Sequence, residues 1–398
     1  MVCRSLALTT LAALSFAAAP TESGLKTQLA DYQSELAKLR ATGRPLREMP
    51  AARFFLFGMG SRQKLLYRDG ALWELPSGRV VKQWNVASEL IVPPAYAVLV
   101  HRTDGGGVLL EEDEAGVWLT EDGRRTALSK SQLKLPTFAG RPSANVLRVL
   151  HQEILINVVD GKPLPNLLVY ATPWYRDGAM VAMVLARTGN LDLLKGWIAS
   201  LSDPFDHNNR AQGVAESEAD NLGQALYLIA LGGERNHPLI ARILEEAKRF
   251  RQEEGGRVWL RGRSDFGVHP VYQTKWMKFG LRALGLRDDY TIPRLADTYS
   301  ALFWWDYRSE HVAGERFSAR LARDYPYLAW AEDHFYGEAH GPVGTIDYPL
   351  SWEAQASQAN YAGMRLIAQE YAEQKLAAPH TWHAAEMFLY LMDSAPRR

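Results

Sequence analysis

The chain has 398 residues, 47% of them hydrophobic, and its 45 basic side chains balance 45 acidic ones. That length exceeds one usual compact domain, so one large domain and one smaller one are expected. Zero net charge excludes the electrostatic footprint of a nucleic-acid binder or of a protein held on an anionic membrane surface, and a single cysteine, Cys3, excludes a disulfide framework.

Residues 1–19 carry Arg4, an apolar run from Leu6 to Phe16, and then Ala17, Ala18 and Ala19. This order of charge, apolar run and small residues reads as a secretory signal, so the expected location is secreted or periplasmic. Pro20 directly after the alanines leaves the cleavage position open, and retention as an uncleaved anchor is the one membrane attachment expected. Residues 20–48 form an amphipathic helix and a linker, because GLKTQLADYQSELAKLRAT has apolar residues at helical spacing and stops at Gly43.

Between residues 50 and 140 short apolar runs alternate with turn signals at Asp69-Gly70, Asp104-Gly105, Ala115-Gly116 and Asp122-Gly123. This spacing predicts an antiparallel β domain. From 145 to 398 apolar residues recur at intervals of three and four in segments such as GAMVAMVLARTGN, NLGQALYLIALGG and TKWMKFGLRALGL. Several begin directly after a dense polar and aromatic cluster. The expected fold is mainly α, an α/α toroid preceded by the smaller antiparallel β domain.

Those clusters carry the candidate chemistry. Trp174-Tyr175-Arg176-Asp177 opens one helix; Trp174 offers a flat wall, and Arg176 and Asp177 offer donors and an acceptor to sugar hydroxyls. Glu218, Asp220 and Asn221 precede the next helix, and crowding of acids there raises the pKa of at least one, as a general acid requires. A third cluster holds Asp265 and then Tyr272, Gln273, Lys275 and Trp276; a fourth holds Trp305 and Asp306; the last holds Trp352 and Glu353 and then His380 and Trp382. The order His380, His383, Glu386 departs from the HExxH pattern of a zinc site, so no metal and no cofactor is expected.

Taken in order, these segments resemble the six-hairpin glycoside hydrolases of the glucoamylase-like type, over residues 165–392. The resemblance implies a terminal sugar held by Arg176 and Asp177, with Asp220-Asn221, Tyr272-Gln273-Thr274-Lys275-Trp276 and Pro379 to Glu386 matching further family segments. In that family the general acid is a Glu directly after a Trp, whereas Trp259 is followed here by Leu260, so the acid falls to Asp265, Glu218 or Asp220. The resemblance also implies a late base that activates water, which Glu353 matches best, with Glu370 and Glu373 as weaker candidates. The implied function is an exported, inverting, exo-acting glycoside hydrolase with a carbohydrate substrate, no nucleic-acid partner and an oligomeric state the sequence leaves open. Two alternatives stay open: a glycan-binding cell-envelope protein without catalysis, and a polysaccharide lyase using Tyr307 or Tyr272 with His311 or His334.

Overall fold

The computed structural model describes residues 20–42, 50–211, 213–265, 267–293, 295, 348–356 and 358–394. Residues 1–19, expected to be a signal, Trp305 and Asp306, and the lyase candidates Tyr307, His311 and His334 lie outside the described residues.

After helix α1 (Glu22–Thr42) the chain forms two antiparallel sheets. The first is four-stranded in the order β1 (Phe54–Phe57), β2 (Leu65–Arg68), β3 (Ala71–Glu74) and β4 (Arg79–Gln83); the second is a five-stranded meander of β5 (Val86–Val92), β6 (Ala97–Arg102), β7 (Gly107–Glu112), β8 (Gly116–Glu121) and β9 (Arg124–Lys130). The hairpin chemistry is the one the sequence announces. Asp69 and Gly70 both sit at positive φ (48° and 73°), as do Asp122 and Gly123 (50° and 75°), which is the backbone a tight two-residue hairpin needs. Glu112 of β7 ties the sheets together: its buried carboxylate accepts from the Gly58 and Met59 N–H groups and from Arg62 at 2.9, 2.7 and 2.9 Å.

The helical part comprises α2 (Ala144–Ile156), α3 (Tyr175–Thr188), the short α4 (Lys195–Ala199), α5 (Ala219–Gly232), α6 (Leu239–Phe250), α7 (Pro270–Leu284), the short α8 (Gln369–Glu373) and α9 (Thr381–Ser394). Two-stranded antiparallel sheets interrupt it: the hairpins β10 (Val158–Val159) with β11 (Lys162–Pro163), β12 (Arg210–Ala211) with β13 (Val214–Ala215), β14 (Arg251–Glu254) with β15 (Arg257–Leu260) and β16 (Arg263–Ser264) with β17 (Gly267–Val268), and the more distant pair β18 (Glu353–Ala354) with β19 (Leu376–Ala377). Helix α2 packs on α9, α9 on α3, α3 on α5 and α5 on α7. The α5–α7 contact is unusually close, because a Cβ on Gly223 would lie 2.2–2.4 Å from backbone atoms of Trp276 and Met277. One core runs from Phe54 and Phe55 of β1 through α2 to Phe388 of α9, so the first sheet and the helices bury their apolar faces together.

The mainly α expectation and the resemblance to six-hairpin hydrolases are both corrected by this architecture. The described residues are mixed, 40% helix and 24% strand, with sheets of four and five strands toward the N-terminal end, and no α/α toroid is evident among them. A ring of helical hairpins needs a second long helix after each inner one. Between α3 and α5 the chain instead makes the five-residue α4 and the β12–β13 hairpin, and between α6 and α7 it makes two further hairpins. Among the described residues no helix is long and apolar enough to cross a membrane.

Candidate functional site

The N-terminal ends of α3, α5, α7 and α9 meet. Arg176 in the first turn of α3 reaches Asp220 in the first turn of α5, Gln224 of α5 donates to the Tyr272 hydroxyl of α7 at 3.2 Å, and Thr381 of α9 lies 3.4 Å from Asp177 of α3. Helix N-termini present unpaired N–H groups and the positive end of the dipole, so this junction favours acidic side chains. Asp206 supplies one directly, accepting from the Tyr175 N–H at 2.6 Å.

On one side of α3 the acids are Glu218 and Asp220. Arg176, with little exposure, donates through Nη2 to Glu218 Oε1 at 2.8 Å and through Nε to Asp220 Oδ2 at 3.0 Å. Asp220 also accepts from Ser264 Oγ at 2.5 Å and from Gln224 Nε2 at 2.9 Å, so its oxygens are fully used as an anchor. Glu218 Oε1 accepts in addition from Asn209 Nδ2 at 3.2 Å and from the Asp265 N–H, while Oε2 is buried without a partner. Burial pushes the Glu218 carboxyl up to about 7; Arg176 opposes that rise, and Asp220 and Asp206 add to it.

On the other side lies Glu353. Its Oε2 accepts from the Tyr170 hydroxyl and faces His380 Nε2 at 2.8 Å, and its side chain keeps 16% exposure, so water reaches it. Burial disfavours the charged form of His380, but the Glu353 carboxylate and then Asp177 outweigh it, leaving His380 above its ordinary value. Asp177 is raised to about 6, chiefly by burial, with His380 and Arg176 opposing. The half-buried Trp174 stands edge-on to Tyr170, ring centroids 6.2 Å apart. Gln358, five positions after Glu353 in the chain, donates through Nε2 to Asn209 Oδ1 at 2.6 Å, and Asn209 in turn holds Glu218.

The sequence-predicted residues thus divide. Trp174, Arg176, Asp177, Glu218, Asp220, Glu353 and His380 come together around the first turn of α3. Asp265 comes close through its backbone N–H and leaves its carboxyl half-buried. Asn221 and Gln273 hold loops: Asn221 Oδ1 accepts from the Asp206 N–H at 3.1 Å, and Gln273 brackets the Gly262 backbone at 2.7 and 3.1 Å. Tyr272, Lys275, Trp276 and Trp352 have no exposure and Trp382 only 4%; Trp276 packs among Tyr227, Tyr272 and Phe279 as a core residue. Tyr170 and Gln358 were not singled out by the sequence, while Asn209 and Ser264 lie within its polar clusters without a role assigned to them. Asn209 carried a signal, as part of the polar run Asp206 to Asn209; Tyr170 ends an apolar run and reads as core. Among the described residues no group of three or more His, Cys, Asp or Glu could hold a metal ion.

No family model matches this sequence, and no curated protein and no solved structure matches it at a significant level.

Proposed function

We propose that this chain is an exported glycoside hydrolase, inverting and exo-acting on an oligo- or polysaccharide, with Glu218 as general acid and Glu353 as general base. One observation carries the reading: two carboxyl groups stand near Arg176 and Asp177 with different partners, Glu218 buried beside Arg176 and Glu353 within reach of solvent. Glu218, raised to about 7, holds a proton near neutrality that it can give to a leaving oxygen. Arg176 then stabilises the carboxylate left behind. Glu353 is reached by solvent and oriented by Tyr170 and His380, as a base that positions water must be. An inverting pair stands roughly 6.5–9.5 Å apart with one water between. Trp174 supplies a stacking face and Asp177 an acceptor for hydroxyls. The signal-like residues 1–19 support export.

One role shifts in this reading. Arg176, engaged by both Glu218 and Asp220, tunes the acid and does not serve as a free fork for sugar. The test is a panel of neutral and acidic oligosaccharides followed by product detection and NMR of the newly released sugar. Release of single sugars with inverted anomeric configuration supports the reading. Ultraviolet absorbance from a new double bond would assign a lyase, and binding without product would assign a glycan-binding protein.

A further inference from the structure

Glu153 of α2 is completely buried, and no cationic side chain pairs with it among its described contacts. Its Oε1 accepts from the Leu350 N–H, and its Oε2 lies 2.5 Å from Ser351 Oγ. Ser351 Oγ also lies 2.9 Å from the His380 carbonyl oxygen, and the His380 N–H donates to it at 3.3 Å. The His380 N–H donates further to the Ser351 carbonyl at 3.2 Å, and two residues on Glu353 pairs with Ala377 across β18 and β19. One buried side chain of α2 therefore holds the Leu350–Ser351 segment directly and the His380 backbone through Ser351, the two segments that carry the Glu353–His380 contact.

A proton count decides its form. The Ser351 hydroxyl has one hydrogen. Were Glu153 ionised, that hydrogen would have to serve both the carboxylate and the His380 carbonyl, leaving one oxygen pair in close contact with no proton between them. With a carboxylic acid every group is matched: Glu153 donates to Ser351 Oγ, Ser351 Oγ donates to the His380 carbonyl, and Oε1 still accepts from Leu350. The Ser351 N–H also donates to this carboxyl, and it opposes the neutral form together with the Ser351 hydroxyl and the Leu350 N–H, but complete burial outweighs all three and raises Glu153 to about 8.

We propose that Glu153, as a neutral carboxylic acid, is a positioning residue that sets the Glu353–His380 pair through Ser351. The inference rests on the reading of Glu353 as the catalytic base, but its test does not. The experiment follows the imidazole titration of His380 by NMR in the full chain, with the signal assigned through a His380→Asn variant. The groups facing His380 are Glu353, Asp177 and Tyr170, with the His383 ring 5.0 Å away. In Glu153→Leu and in the milder Ser351→Ala, the His380 midpoint falls by about 1 to 3 pH units, the effect of losing a close opposite charge. Glu153→Gln, which keeps a neutral donor and acceptor, retains the wild-type midpoint. On a turned-over glycan, Glu153→Leu lowers kcat by up to about 100-fold with KM little changed, and Glu153→Gln restores it. Folded Glu153→Leu or Ser351→Ala with an unchanged His380 titration overturns the proposal, and so does a Glu153→Gln midpoint that falls as far as that of Glu153→Leu. Should Glu153→Leu not fold, Ser351→Ala decides. Should no glycan be turned over by the wild type, the hydrolase reading fails while the titration still decides the role of Glu153.

Discussion

Replacing Arg176 by Met removes the cation between Glu218 and Asp220 while keeping most of the side-chain volume. The guanidinium lies 2.8 Å from one carboxylate and 3.0 Å from the other, with side-chain exposures of 5%, 1% and 0%. Removing one partner of a buried ion pair costs about 3–5 kcal/mol, because the remaining charge is left uncompensated. Part of that cost is relieved here. Burial holds the Glu218 carboxyl up at about 7, so it can take a proton when its cation is gone, and Asp220 keeps Ser264 and Gln224. The expected loss is therefore at the lower end, about 3 kcal/mol. It also depends on pH. Without Arg176 the folded-state pKa of Glu218 rises further above its unfolded value, so the native state binds more protons than the unfolded chain over a wider range. Stability then declines as pH rises, and the deficit against wild type grows from pH 5 to pH 8. Urea unfolding of both proteins at the two pH values, with matching slopes, reads this directly. A loss below about 1 kcal/mol, or a deficit equal at both pH values, would refute the anchoring role of Arg176 and return it to the solvent-facing sugar fork of the sequence reading.

The Glu218→Gln variant keeps an acceptor for Arg176, Asn209 and the Asp265 N–H but has no proton to give. Its turnover should fall by about 10²–10⁴-fold. In the wild type the proton-bearing form of Glu218 is present below about 7 and is lost above it, so kcat/KM should fall as pH rises through that value. That basic limb should vanish in the variant, and its persistence would move the acid elsewhere. Gly223→Ala drives a Cβ to within 2.4 Å of the Trp276 and Met277 backbone, and thermal unfolding should show a loss of about 1–3 kcal/mol as α5 and α7 are forced apart. An unaltered melting curve would contradict the close α5–α7 approach.

Much of the N-terminal half was legible because its turns carry their own chemistry. Asp69-Gly70 and Asp122-Gly123 adopt the positive φ values that tight hairpins require, and the strands between them pair in simple sequence order. The inner helices were legible from their spacing, and Gly189, Gly233 and Gly285 end α3, α5 and α7 in the left-handed conformation. The toroid was a misreading of the intervals. Gly255-Gly256, at φ 56° and 73°, turns the β14–β15 hairpin with its four ladder pairs between α6 and α7, where helical periodicity on both sides suggests an unbroken helical layout. Tyr272, Lys275 and Trp276 looked like a cavity wall because polar and aromatic residues alternate there. The approach of α7 to α5 through Gly223 turns that face inward, a fact that only the packing contains. Long-range partners were likewise out of reach: Asn209 and Gln358 are 149 positions apart, and neither residue type announces the other.

The central claim is that Glu218 and Glu353 work as an acid and a base on a sugar held at the first turn of α3. The most direct measurement compares the wild type with Glu353→Gln on the oligosaccharide panel, recording binding by calorimetry and product by NMR. The account predicts single sugars of inverted configuration from the wild type, and from the variant undiminished binding with no product. Turnover by Glu353→Gln at the wild-type rate, or no product from the wild type on any glycan it binds, would contradict it.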